Sequence, residues 1–184
     1  MVPRQQPRCG VVQGRMRRAA VAWGCRVGRP LHTAREHGLR PKLHADQLTD
    51  TGGAALAAEV GAASADHLEC ISEEGIAALA NSDTVAVSLP LATLYLDEFP
   101  LPARALHEAG VPVAVATDFN PGSAPSYHLP LALMLACTLQ RMTPAQALAG
   151  ATRVAARAAS RLRDRTLSSF LRAARVPTLD MVSK

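Results

Sequence analysis

Residues 42–69 read KLHADQLTDTGGAALAAEVGAASADHLE. The two ends of this stretch, KLHADQ and SADHLE, each run from a short strand-like segment into polar residues. AALAAEVG between them has the make-up of a helix and closes on Gly61, a residue suited to a helix C-terminus. Strand, helix, strand is the unit of a parallel sheet, because parallel neighbours need a crossover and a helix usually supplies it.

The same grammar continues downstream. SEEGIAALAN (72–81) reads as a capped helix, with Ser72 as N-cap and acids in the first turn to complement the helix dipole. TVAVSLP (84–90) is nearly all apolar and β-branched, as expected of a strand buried on both faces. PARALHEAG (102–110) is an amphipathic helix ending at Gly110, and PVAVATDFNPG (112–122) is a second buried strand that runs into a polar loop. LPLALMLACTLQ (129–140) and TPAQALAGATRVAARAA (143–159) read as long helices, the second opened by Thr143 as cap and Pro144 in the first turn. Upstream, LHTAREHGL is helix-like and ends near Gly38.

From 32 to 159 the pattern is therefore βα repeated about four times. This predicts an α/β fold: a partial TIM-like (β/α)8 barrel of about four βα units, with an open doubly wound sheet as the competing arrangement. No glycine-rich phosphate loop follows any strand, which counts against a dinucleotide fold. Three segments are expected: an irregular basic leader (1–31), the barrel half (32–159) and a divergent basic tail (160–184), the last with room for a short helix around 166–174.

Composition narrows the class. Of 184 residues, 48% are hydrophobic and only 3% aromatic, so Ala, Leu and Val must fill the core. The net charge of +5 is unevenly placed: residues 1–30 hold seven Arg and no acid, while the middle of the chain is acidic. The basic balance therefore argues little for a nucleic-acid partner. Cys9, Cys25, Cys70 and Cys137 form no CxxC pair, so reduced thiols are expected rather than a zinc knuckle or disulfide framework. No apolar run reaches the roughly 18 residues of a membrane span. The leader is Arg-rich and acid-poor like a transit peptide but lacks the apolar core of a secretory signal, and the expected location is cytoplasmic.

The polar residues sit where parallel α/β folds place their chemistry, at the carboxyl ends of strands. His44, Asp46 and Gln47 close the first strand, Asp66 and His67 the second, Asp118 and Asn120 the fourth. Each has a plain structural reading: a hydrogen-bonding histidine, a helix cap at Asp66, a turn former at Asp118 or Asn120. Their coincidence at successive strand ends points instead to a hydrolytic metal site, since imidazole and carboxylate ligands suit a metal that lowers the pKa of bound water. On that reading His44 and Asp118 are ligand candidates and His67 is a base or a carbonyl-polarising group. His32, His37, His107 and His128 read as surface or helix residues.

KLHADQL and SADHLE, followed by TVAVSLP, VAVATDFNPGSAPS (113–126) and MTPAQALAGATRVAARA (142–158), together resemble the imidazolonepropionase family of the amidohydrolase superfamily. The set is specific in order and spacing and spans about 32 to 158. The resemblance implies hydrolysis of a cyclic amide C–N bond, the opening of 4-imidazolone-5-propanoate to N-formimidoyl-L-glutamate in histidine degradation. It implies one zinc or iron ion (Zn2+ or Fe3+) held by His44 and Asp118, with His67 and Asp118 catalytic. Gln47, Asn120, Gly122 and Ser123 fall where the family holds its small-molecule substrate; some members carry Glu at the position of Gln47, and a Gln cannot serve as a base.

The departures from the family carry their own expectations. No HxH ligand pair occurs in the sequence, and the Arg, Tyr and His of the family's first half are absent. The small β-sandwich is missing too. This predicts a truncated or frame-disrupted product with low or no activity alone. Competing expectations are a non-catalytic remnant, a fragment that associates through exposed barrel edges or as a homo-oligomer, and a hydrolase for another cyclic amide.

Overall fold

A computed structural model describes residues 30–159. The expectations for a basic tail with a short helix and for an irregular basic leader fall outside those residues, except that the leader's last two, Pro30 and Leu31, are helical.

Four short strands, β1 (Lys42–Ala45), β2 (Ser64–His67), β3 (Val85–Ser88) and β4 (Val113–Val115), form one sheet in the order β1-β2-β3-β4. All three pairings are parallel, with His44 opposite Asp66, Ala45 opposite His67 and Asp66 opposite Val87. Strands that are neighbours in sequence and in space, joined by helices, are the barrel pattern. An open doubly wound sheet instead reverses its strand order midway.

The helices are α1 (Gly53–Glu59), α2 (Glu73–Ala80), α3 (Pro90–Tyr95), α4 (Ala103–Glu108), α5 (Leu129–Thr138), α6 (Pro144–Ala149) and α7 (Ala155–Ala158), with residues 30–36 also helical. Their starts follow the local chemistry. Ser72 accepts from Gly75 N at 3.3 Å, and Thr143 and Gln146 form a reciprocal capping box ahead of Pro144. Two features depart from the sequence reading. α3 follows directly on β3, a short helix started by Pro90 without any side-chain cap. The long helix expected over 143–159 is broken by a π-helical turn at Gly150–Val154.

The core is built from small residues: Ala54, Ala57, Ala65, Ala92, Ala132 and Ala136 are fully buried beside Leu68, Leu79, Leu106, Val85 and Val113. With so few aromatics, burial must come from close backbone approach, since each fully buried Leu or Val is worth only about 1.5–3 kcal/mol. Gly150 shows how this is done. A Cβ there would lie 3.0 Å from both Val113 O and Val115 Cγ2, so glycine lets the π-helical turn sit on β4 without pushing the strand away. Gly53 does the same against Ala45 on β1, with a Cβ-to-Cβ approach of 2.9 Å. Ala45 and Val115 thus mark the helix-covered face of the sheet. His44, Asp66, Val87 and Ala114 are in register on the other face. At the β1 edge that face is open: Lys42 and His44 are exposed while Leu43 and Ala45 are buried.

Candidate active site

After β1, β2 and β4, though not after β3, the chain passes through left-handed residues. Asp46, His67, Leu68 and Asp118 all have positive φ, at 48°, 82°, 70° and 54°. Such a conformation strains any residue with a Cβ, and it persists only where surrounding contacts enforce it. Two of these four residues, His67 and Asp118, are site candidates from the sequence.

The result is convergence. The rings of His44 and His67 are 4.1 Å apart between centroids, tilted by 34°. His67 Nε2 lies 4.0 Å from Asp118 Oδ2. His67 therefore lies between two other residues beyond strand ends, with the His44 imidazole on one contact and the Asp118 carboxylate on another. The His67 side chain is 5% exposed, whereas Asp118 retains 31%, so the cluster is buried on one side and open on the other.

The electrostatics follow from burial and charge. Burial of His67 works against its charged form. The carboxylates of Glu69, Asp118 and Glu98 together outweigh that penalty and hold its pKa above the ordinary histidine value.

The remaining site candidates fall into two groups. Asn120 is bound into the turn that carries Asp118. Its Nδ2 donates to Asp118 O at 2.8 Å and Ser123 Oγ at 2.9 Å, and its Oδ1 accepts from Gly122 N at 2.9 Å and Ser123 N at 2.7 Å. Asn120, Gly122 and Ser123 thus form one self-satisfied turn around the aspartate. Gln47 is held by Glu98, beyond the end of α3: its Nε2 donates to the carboxylate, 3.1 Å from both oxygens, and Glu98 is in turn one of the charges acting on His67. Asp66 is no helix cap. It stays in β2 and accepts from Ser64 Oγ at 2.6 Å.

Asp46 turns out to be structural. Its buried carboxylate accepts from Thr51 N, Thr51 Oγ1, Gly53 N and Ala54 N at 2.8–3.0 Å, tying β1 to the start of α1. The side chains that sequence reading passed over are Glu69, Glu98 and Thr93. Glu69 was within the quoted SADHLE stretch, but regular strand alternation hides its role. The left-handed turns at His67 and Leu68 fold the chain back, so that Glu69 Oε2 comes to 3.7 Å from His67 Nδ1. Phe119 and Tyr127, both exposed, pack edge-on at 5.5 Å on the loop beyond Asp118. A separate cavity of about 410 Å3, lined by Arg104, His107, Glu108, Arg141 and Gln146, shares no residue with this cluster.

Two imidazoles and a carboxylate are donors that suit zinc, so the chemistry of His44 and Asp118 fits a metal beside His67. Among the described residues no group of three or more His, Cys, Asp or Glu side chains is set to hold a metal ion by itself. The donor types fit; the set formed by these residues is partial.

No family model matches the chain. Curated relatives do. The chain is 55% identical over 133 residues to an imidazolonepropionase of Ralstonia nicotianae, covering 72% of this chain and 33% of the relative. It is 50% identical over 134 residues to that of Shouchella clausii, covering 73% and 30%. The chain thus spans about a third of the length of the curated relatives it matches. In fold it is similar to an adenosine deaminase from Xanthomonas campestris with bound zinc (TM-score 0.63, 22% identity, 73% of this chain and 35% of that one). It is also similar to an atrazine chlorohydrolase from Arthrobacter aurescens complexed with zinc (TM-score 0.61, 20% identity, 72% and 34%). By sequence the chain is similar to about a third of these imidazolonepropionases, and by fold the described α/β unit is similar to about a third of each of the two zinc-bound enzymes.

Proposed function

We propose that this chain carries part of the site of a metal-dependent cyclic-amide hydrolase of the imidazolonepropionase type, acting on 4-imidazolone-5-propanoate. The observation that carries this reading is the convergence of His44, His67 and Asp118 from three strand ends, with ring centroids 4.1 Å apart and an imidazole-to-carboxylate distance of 4.0 Å. His44 and Asp118 are the residues that hold the metal, zinc in the first instance and iron as the other candidate. When bound, such an ion supplies a Lewis acid that brings the pKa of water to about 7.

The chain's own groups do the rest. His67, in its charged form, donates a hydrogen bond from Nε2 to the ring carbonyl oxygen as negative charge develops there. Asp118, half open, accepts the proton of the attacking water. Asn120 holds Asp118 through its backbone carbonyl, and the Asn120–Ser123 turn borders the site, where it fixes the position of Asp118 beside the substrate. Gln47 lies at the rim against Glu98 and orients the ring.

Acting alone, the chain turns over little. His44 and Asp118 are two donors, and a catalytic zinc takes three protein ligands. The sheet also ends in two strands, β1 and β4, each with a single partner among the described residues. Those edges favour association with a complementary half-barrel or a second copy. Incubating the purified chain with zinc or iron and following loss of imidazolone-propionate absorbance tests the activity; metal content and mass in solution are read in parallel. Slow turnover with bound zinc is expected, rising on complementation. No zinc uptake under any condition would rule out the hydrolase reading.

A further inference from the structure

We propose that Glu69 is the positioning residue for His67, and that with Thr93 it sets which ring nitrogen of His67 carries the proton. The proposal rests on the reading of His67 as the substrate-facing group and adds what holds that ring in place.

Glu69 and His67 are both shut away from water, with side chains 1% and 5% exposed. His67 Nδ1 and Glu69 Oε2 are buried atoms without any hydrogen-bond partner, and they face each other at 3.7 Å. A buried carboxylate oxygen and a buried ring nitrogen left unpaired are costly, and each is the nearest group that could pair the other, a few tenths of an ångström beyond hydrogen-bond distance. The other oxygen of Glu69 is already anchored: Thr93 Oγ1, 2% exposed on α3, donates to Oε1 at 3.1 Å. Two consecutive left-handed residues, His67 and Leu68, bring the carboxylate under the ring, a strained route whose local product is this contact.

The chemical consequence is directional. With the proton on Nδ1, held toward Glu69, the neutral ring keeps its lone pair on Nε2, the nitrogen 4.0 Å from Asp118 Oδ2. Glu69 and Thr93 touch no substrate position; they act through the ring.

The test is a direct reading of the tautomer, in the full chain labelled with 15N-histidine, without metal, at a pH where His67 is neutral. The expected spectrum has a protonated Nδ1 and a bare Nε2. Glu69→Met, similar in length but unable to accept, is expected to move the ring toward the Nε2–H form. Thr93→Val, which frees Oε1, is expected to move it partway with circular dichroism unchanged. A wild-type ring protonated on Nε2, or Glu69→Met retaining protonated Nδ1, would overturn the proposal. The wild-type spectrum decides it even if Glu69→Met does not fold. Loss of the hydrolase reading would appear separately, as absent zinc binding with the tautomer as expected.

Discussion

The turn after β1 and the turn after β4 start alike and end differently. Each places an aspartate just past a strand in the left-handed region, Asp46 at φ 48° and Asp118 at φ 54°. Asp46 is 4% exposed, and every near donor is a backbone or hydroxyl group of its own turn. Asp118 keeps 31% exposure; its Oδ2 faces His67 and takes only one long bond, 3.4 Å from Asn120 Nδ2, while Asn120 holds the rest of the turn. An aspartate at a strand end is therefore not by itself a site. It is free for chemistry only when another residue does the work of holding the turn, and Asn120 does that work after β4.

This contrast can be broken most sharply at Asp46. Asp46→Ala leaves two helix-start N–H groups and a threonine unpaired in a buried turn, and should cost about 3 kcal/mol of stability in urea unfolding. Asp118→Asn should cost less than about 1 kcal/mol in the same measurement but weaken zinc binding at least roughly 10-fold by calorimetry, about 1.4 kcal/mol. If the two variants exchanged these phenotypes, the division between a structural and a functional turn would fail. Asn120→Ala should fall between them, losing about 1 kcal/mol of stability and part of the zinc affinity, because Asp118 is then held less firmly.

The smallest expected effect is at His107 on α4, outside both turns. Burial lowers its pKa. The unfolded chain therefore takes up the proton more readily than the folded one. Stability on this account is full above the unfolded value of about 6.5 and falls as pH drops below it toward the folded pKa. His107→Phe should flatten that part of the urea-midpoint profile, read as the difference from wild type. A larger flattening in Asp118→Asn than in His107→Phe would move the main acid sensitivity to the β4 turn.

Much of the architecture was legible in the residues. β-branched runs at 84–90 and 112–115 became β3 and β4, and Ser72 and Thr143 capped the helices expected of them. α3 was missed because nothing but Pro90 marks its start; its formation depends on packing of Leu91 and Ala92 in the core. The π-helical turn was missed for a similar reason: Gly150 inside an alanine-rich stretch looks like plain helix until β4 is beneath it.

The site divides along the same line. The sequence alone determined which residue types stand at the strand ends, since strand and helix periods and turn signals place His44, His67 and Asp118 there by short-range rules. Only the tertiary structure decided which of those groups meet. Left-handed turns set the directions of Asp46, His67 and Asp118, parallel register set His44 beside Asp66 and close to His67, and α3 brought Thr93 and Glu98 back over the sheet. Those are long-range contacts, and their cost or gain depends on burial that no single segment can supply.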